Sequence, residues 1–263
     1  MAQLNLDAIT AYLTKNVDFG SSGGFTKLAR QVATQQSAWL KTIRPAFESP
    51  KFSFYPPNLR QIAGLRWVEV ESVVMVDGIA LYGVPRSSIA EALIRADSAA
   101  KRRGILGNRW KTISGDCRVA IAGCRTGAAE SYIPMALAAL DALDDGHEAA
   151  AQALAGALLD SMVNSYFGQL RHLYTPDKKG KRTNGAYDEF SAHEYIALAP
   201  IWQAWQKFFP DEGLPVPHTF SRNATAHTVS EKQYTRRNAV QSLMIVSGLI
   251  CFFDREAVWV NTA

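Results

Sequence analysis

The chain has little of what usually assigns a protein at a glance. Its 263 residues hold only three cysteines, Cys117, Cys124 and Cys251. They form no C-x-x-C pair and have no histidine at ligand spacing, which excludes a disulfide scaffold and a zinc or redox motif and suits small buried thiols in a reducing compartment. No metal and no cofactor is therefore expected. Glycine and proline, 18 and 11, are too few for a fibrous or low-complexity protein. The longest apolar run, 243–253, is broken by Ser247 and Gly248 and falls short of the roughly 20 residues that span a bilayer; a buried helix is expected there, and no membrane partner. The first residues carry neither a basic n-region nor an apolar h-region, so no secretory signal is expected and the location read from the sequence is cytoplasmic. An excess of one charge is missing too. Twenty-eight Lys and Arg stand against 24 Asp and Glu, a formal +4, which leaves a polyanion partner to clustered cations rather than to the net sum.

What is present is a globular composition, 48% apolar and 10% aromatic, of a length that fits one large domain or two ordinary ones. Apolar residues recur at three to four, so the chain reads as all-α. Helices are expected over 5–15 and 25–44, the second stopped by Pro45, with a glycine-serine turn at 20–24 that lacks the lysine and flanking strand of a P-loop. A loop follows over 48–57, and Asn58 is a candidate cap. The stretch 59–76 fits a helix closed by Gly78, or else a hairpin about Asp77-Gly78. One helix is expected over 87–103, with Arg102 and Arg103 near its C-terminus, where the dipole favours cations.

Between 120 and 157, 14 of 38 residues are alanine, and close helix packing at the centre of the molecule is expected there. Asp145 and Glu148 have capping-box spacing ahead of a long helix whose apolar face would be Ala149, Leu154, Ala157, Leu158, Met162 and Tyr166, ending near Gly168. A basic loop, with Lys178, Lys179, Lys181 and Arg182, precedes a second capping box, Ser191 with Glu194. That box would open a helix to Phe209, kinked at Pro200, with Trp202, Trp205, Phe208 and Phe209 as core or interface aromatics. His147, His172, His193 and His218 lack ligand-spaced partners and read as surface or capping residues.

The segment that carries chemistry follows. A short helix over 219–228 would set Asn223 and His227 one turn apart on one face, with Arg222 flanking it. Thr235 would cap the long apolar helix beyond. A guanidinium can hold a phosphate through paired hydrogen bonds and stabilise charge that develops on it. An imidazole can move a proton near neutrality, and the amide can orient either. The plainer reading is a hydrogen-bonded helix end. Asp160 and Asn164, four apart on the preceding long helix, are candidates to line the same cleft.

Arg222-Asn223-x-x-x-His227 ahead of a Thr-capped apolar helix resembles the signature of the HEPN superfamily (higher eukaryotes and prokaryotes nucleotide-binding). The likeness covers about 144–256 and divides the chain into a helical region of unnamed role, 1–143, and a HEPN-like helical bundle, 144–263. It implies a metal-independent endoribonuclease with His227 as general base or acid, Arg222 as transition-state clamp and Asn223 as the orienting residue. The expected partner is RNA, with the basic loop as a contact strip. Family members commonly dimerise to build a composite site, so a homodimer or higher homo-oligomer is implied. Many are toxins or antiviral defence effectors, which implies an antitoxin or defence-system partner, and some only bind or scaffold. The subgroup that pairs with a nucleotidyltransferase antitoxin has a tyrosine two residues after the histidine. Here that position is Val229, so nothing points to that pairing.

Overall fold

The computed structural model describes residues 54–177, 179 and 181–256; the helices expected over 5–15 and 25–44, the turn at 20–24 and Lys178 lie outside them. Among the described residues the protein is all-α, with no strand. In chain order the helices are α1 (Trp67–Glu71, continued by a π turn Ser72–Val76), α2 (Ser87–Arg95), α3 (Ala99–Asn108), α4 (Trp110–Ala122), α5 (Gly127–Glu130), α6 (Ile133–Asp144), α7 (Glu148–Phe167), α8 (Ala192–Leu198), α9 (Pro200–Ala204), α10 (Arg222–His227) and α11 (Arg236–Glu256). No helix among these residues is long and apolar enough to cross a membrane.

α11 lies at the centre of the molecule, and the close packing expected of the alanine-rich stretch is met against it, with Ala136 and Ala139 of α6 and Ala151 and Ala155 of α7 fully buried. Residues 238–253 are buried without interruption, on every face of the helix. α3, α4, α5, α6, α7 and α8 all pack against it, and the resulting apolar core is continuous across residue 144. A helix enclosed on all sides must satisfy each polar side chain internally. Asn238 does so with the Gln233 carbonyl (2.7 Å), and Ser242 with the Ala239 carbonyl (2.8 Å). Gln241 donates to the carbonyls of Asp77 (3.0 Å) and Gly78 (2.9 Å). The extended segment after that turn then runs along α11. A Cβ on Gly248 would stand 3.2 Å from the Tyr82 carbonyl, and one on Gly83 would stand 3.3 Å from Cys251 Cβ. Asn58 holds the far side of this segment, donating to Leu81 O and Pro85 O and accepting from Gly83 N; it is a tether rather than a helix cap.

Several expected boundaries shift for identifiable reasons. The 59–76 stretch is helical only from Trp67, and Gly78 follows it at φ 64°; the hairpin does not form. The 87–103 helix is two helices, because the Ser98 side chain caps α3 by accepting from Lys101 N. Arg102 therefore sits inside α3, where it donates to Leu93 O and Ala96 O at the end of α2 and pairs with Asp77 at 2.6 Å. The cation does serve a helix C-terminus, but that of the neighbouring helix.

Asp145 closes α6 instead of opening α7. With Gly146 at φ 84°, His147 N donates to Ala142 O and Gly146 N to Leu143 O, the paired bonds of a Schellman ending. α7 ends at Gly168 as expected, but Ala149, Ala157 and Tyr166 are exposed and Ala151, Ala155, Leu159 and Val163 are buried. In so alanine-rich a helix, apolar spacing does not single out one face. The Ser191–Glu194 capping box forms, at 3.2 and 2.8 Å. Beyond it, Pro200 breaks the helix into α8 and α9, and α9 stops at Ala204. The three cysteines are free and buried, and burial pushes the Cys117 thiol up to about 12.

Alanine favours a helix over glycine by about 1 kcal/mol, whereas overpacking a core costs about 1–3 kcal/mol. The tight approach of Tyr82 O should therefore make Gly248→Ala destabilising by about 1 kcal/mol in chemical denaturation. Gly104→Ala on α3, where a Cβ meets nothing within 4 Å, should stabilise by about 0.5–1 kcal/mol. A Gly248→Ala protein at least as stable as wild type would contradict the close approach.

Asp254, near the end of α11, accepts from Arg125 N (2.6 Å) and Thr126 N (2.7 Å) at the start of α5. Burial alone would raise its pKa, but these amide bonds outweigh it and hold the carboxyl below its ordinary value. The folded form is thus the stronger acid. Its contribution is present above the unfolded aspartate value of about 4 and is lost as pH falls through the folded one. The Tm gap between wild type and Asp254→Asn should therefore narrow from pH 7 to pH 3; a constant gap would contradict it.

Candidate functional site

α10 has only six residues, too few to be stable alone, so its position is set from outside. Ser221 caps it, its hydroxyl accepting from Ala224 N (3.1 Å). Beneath it lies a buried polar network. Gln233, fully buried, accepts from Ser221 N (2.9 Å) and donates to Pro217 O (3.0 Å) and Thr219 O (3.1 Å). Gln152 on α7, also fully buried, donates to Thr225 Oγ1 (2.9 Å) and Gln233 Oε1 (3.1 Å). The Tyr234 hydroxyl donates to Thr225 O at 2.6 Å. Thr235 caps α11 as expected, its hydroxyl accepting from Asn238 N at 3.3 Å.

On this platform Arg222 pairs with Asp160 of α7 at 3.1 Å, and the same carboxylate oxygen accepts Arg171 at 2.9 Å. Arg171 also donates to Asn164 Oδ1 (2.6 Å) and lies over the Trp205 ring at 5.7 Å. Two guanidiniums thus share one carboxylate, and the cluster keeps positive charge. Asn223 turns inward. Its amide donates to Trp205 O (3.2 Å) and Gln206 O (3.1 Å), while its oxygen receives a long contact from Arg222 at 3.5 Å. His227 is exposed at the other end of α10, and among the described residues its side chain makes no hydrogen bond or ion pair. Val229, two residues on, is 95% exposed.

The structure therefore gathers Arg222, Asn223, Asp160 and Asn164 into one connected cluster and leaves His227 to solvent on the same short helix. In the basic loop Lys179 and Lys181 are exposed. Arg182 is spent on loop closure, with its guanidinium on Thr175 O (2.7 Å) and its amide on Asp177 (2.8 Å). No group of three or more His, Cys, Asp or Glu side chains among the described residues could hold a metal ion.

Two residues of this arrangement have no sequence signal. Arg171 lies beyond the helix break at Gly168, in a 3-10 turn Gly168–Leu173, so helical spacing from Asp160 and Asn164 does not reach it. Gln233 sits in a polar connection, where glutamine is ordinarily solvated.

No family model, no curated protein and no solved structure matches the chain.

Gln233→Leu would strand the Ser221 amide and the carbonyls of Pro217 and Thr219 in a buried setting. A loss of about 2–3 kcal/mol is expected, with faster hydrogen exchange at 221–228. Unchanged exchange there would show that α10 is positioned by other contacts.

Proposed function

We propose that the chain is a metal-independent endoribonuclease of HEPN type. The observation that carries this reading is the presentation of Arg222 and His227 by one capped helix, the first in a net-positive cluster and the second exposed and unencumbered. In this reading His227 removes the proton of a ribose 2′-hydroxyl, or delivers one to the leaving oxygen. Arg222 moves between Asp160 and the scissile phosphate and stabilises the charge that builds on it. Asn223 fixes the helix against Trp205 and Gln206, so its orienting role is exerted through the position of α10. Arg222 and His227 are five residues apart and do not share one face of a helix. A second copy supplying the opposing histidine resolves that geometry, and the exposed Val229 beside His227 suits such a contact. The exposed Lys179 and Lys181 would engage flanking phosphates of the RNA. A role as a toxin or antiviral defence effector in the cytoplasm follows from the same reading.

A catalytically silent RNA-binding or assembly module is the second reading, favoured by the engagement of Arg222 with Asp160. Incubation of the purified protein with mixed RNA in EDTA separates the two. Cleavage reduced roughly 100-fold or more by His227→Ala, and comparably by Arg222→Ala, both with wild-type folding, is the expected result. Cleavage retained by both variants would overturn the site. Salt-sensitive binding without cleavage would favour the silent module.

A further inference from the structure

An open pocket of about 400 Å³ lies between α3 and the start of α11, lined by Arg103, Asn108, His218, Lys232, Arg236 and Arg237 among others. Among the described residues no carboxylate lines it. Arg236 is compensated: it pairs with Glu148 at 2.6 Å and stacks over Trp110 at 4.9 Å, forming a fixed wall. The other cations have no acidic partner among the described residues. Arg103 is half-buried, and its one polar side-chain partner among the described residues is the neutral Asn238 Oδ1, at 3.1 Å. Burial and the like charge of Arg237 both push its pKa down. Arg237 and Lys232 make no ion pair or side-chain hydrogen bond among the described residues. Arg237 is held against Gly107, where an added Cβ would stand 3.0 Å from its Nε. At the helix end itself Thr235 already occupies the Asn238 amide, and the charge of the pocket is carried by its side chains.

Like-charged guanidiniums that face one pocket with no acid among the described lining residues raise the energy of the empty state, and an anion that bridges them lowers it. The volume is that of a small-ligand site. We propose that this pocket binds a phosphate-bearing anion through Arg103, Arg237 and Lys232. The ligand class is a chain of phosphates, either the oligophosphate of a nucleotide-like small molecule or consecutive phosphodiesters of a strand. Arg103 and Arg237 supply the planar, paired donors that phosphate oxygens accept, and Lys232 a point charge. This site needs nothing from α10. Its readout is binding rather than cleavage, so an inactive His227 site would leave it standing.

The test is calorimetric titration of the full chain with inorganic tripolyphosphate and, separately, with a single-stranded RNA dodecamer. Arg103→Gln and Arg237→Gln should each weaken binding roughly tenfold or more. Gly107→Ala keeps every charge but displaces Arg237, and should weaken binding with no loss of Tm. Lys101→Gln, on the same helix but outside the pocket, should change binding little. Loss confined to tripolyphosphate assigns a small phosphoanion, and loss confined to the dodecamer assigns a strand. The proposal is overturned if neither probe binds, or if Lys101→Gln costs as much as Arg237→Gln while Gly107→Ala costs nothing.

Discussion

The structure depends on the complete burial of residues 238–253 of α11. A helix apolar on one side can be docked late and replaced cheaply; one enclosed on all sides fixes the position of everything that touches it. Among the described residues six other helices pack on this one, and Asn238 and Gln241 serve as anchors. Gln241 reaches the turn at Asp77-Gly78, and Asn238 reaches Gln233 in one direction and Arg103 in the other. Such bonds are individually worth about 1 kcal/mol, yet leaving one of their buried partners unsatisfied costs more. They therefore act chiefly to exclude other arrangements.

The chemistry follows from that frame at one remove. α10 is below the length at which a helix holds itself, and its orientation is inherited from Gln233, Gln152, Tyr234 and Asn223. The same connection, 217–237, carries His218 and Lys232 to the pocket beside α3. Two polar regions of different character thus hang from one end of the buried helix. In one, Arg222 and Arg171 share a carboxylate at one end of the short helix that carries the exposed His227 at its other end; in the other, Arg103 and Arg237 face one pocket with no acid among the described lining residues.

Much of the fold is legible in the sequence because local chemistry decides it. The Ser191–Glu194 box, the cap at Thr235, the stop at Gly168 and the enclosed character of 243–253 all follow from spacing or backbone preference. Other features depend on contacts that spacing does not encode. Asp145 and Glu148 have the spacing of a capping box, but Gly146 gives a Schellman ending to α6, and that pattern uses the same residues. The face of α7 is ambiguous because alanine packs on any side. Spacing brings Arg222 and Asn223 to the neighbourhood of Asp160 and Asn164, but the common face it gives Asn223 and His227 does not appear, because Asn223 turns inward and His227 faces solvent. Arg171 and Gln233 are not reached by spacing, since each acts across a break in periodicity. The inward turn of Asn223 is likewise a tertiary event.

Hydrogen exchange, resolved along the chain with and without single-stranded RNA, is the decisive measurement. Residues 240–253 should exchange most slowly and be unaffected by RNA, while 218–237 should gain protection when RNA is bound. RNA binding that leaves 218–237 unchanged, or that protects only segments elsewhere, would contradict this.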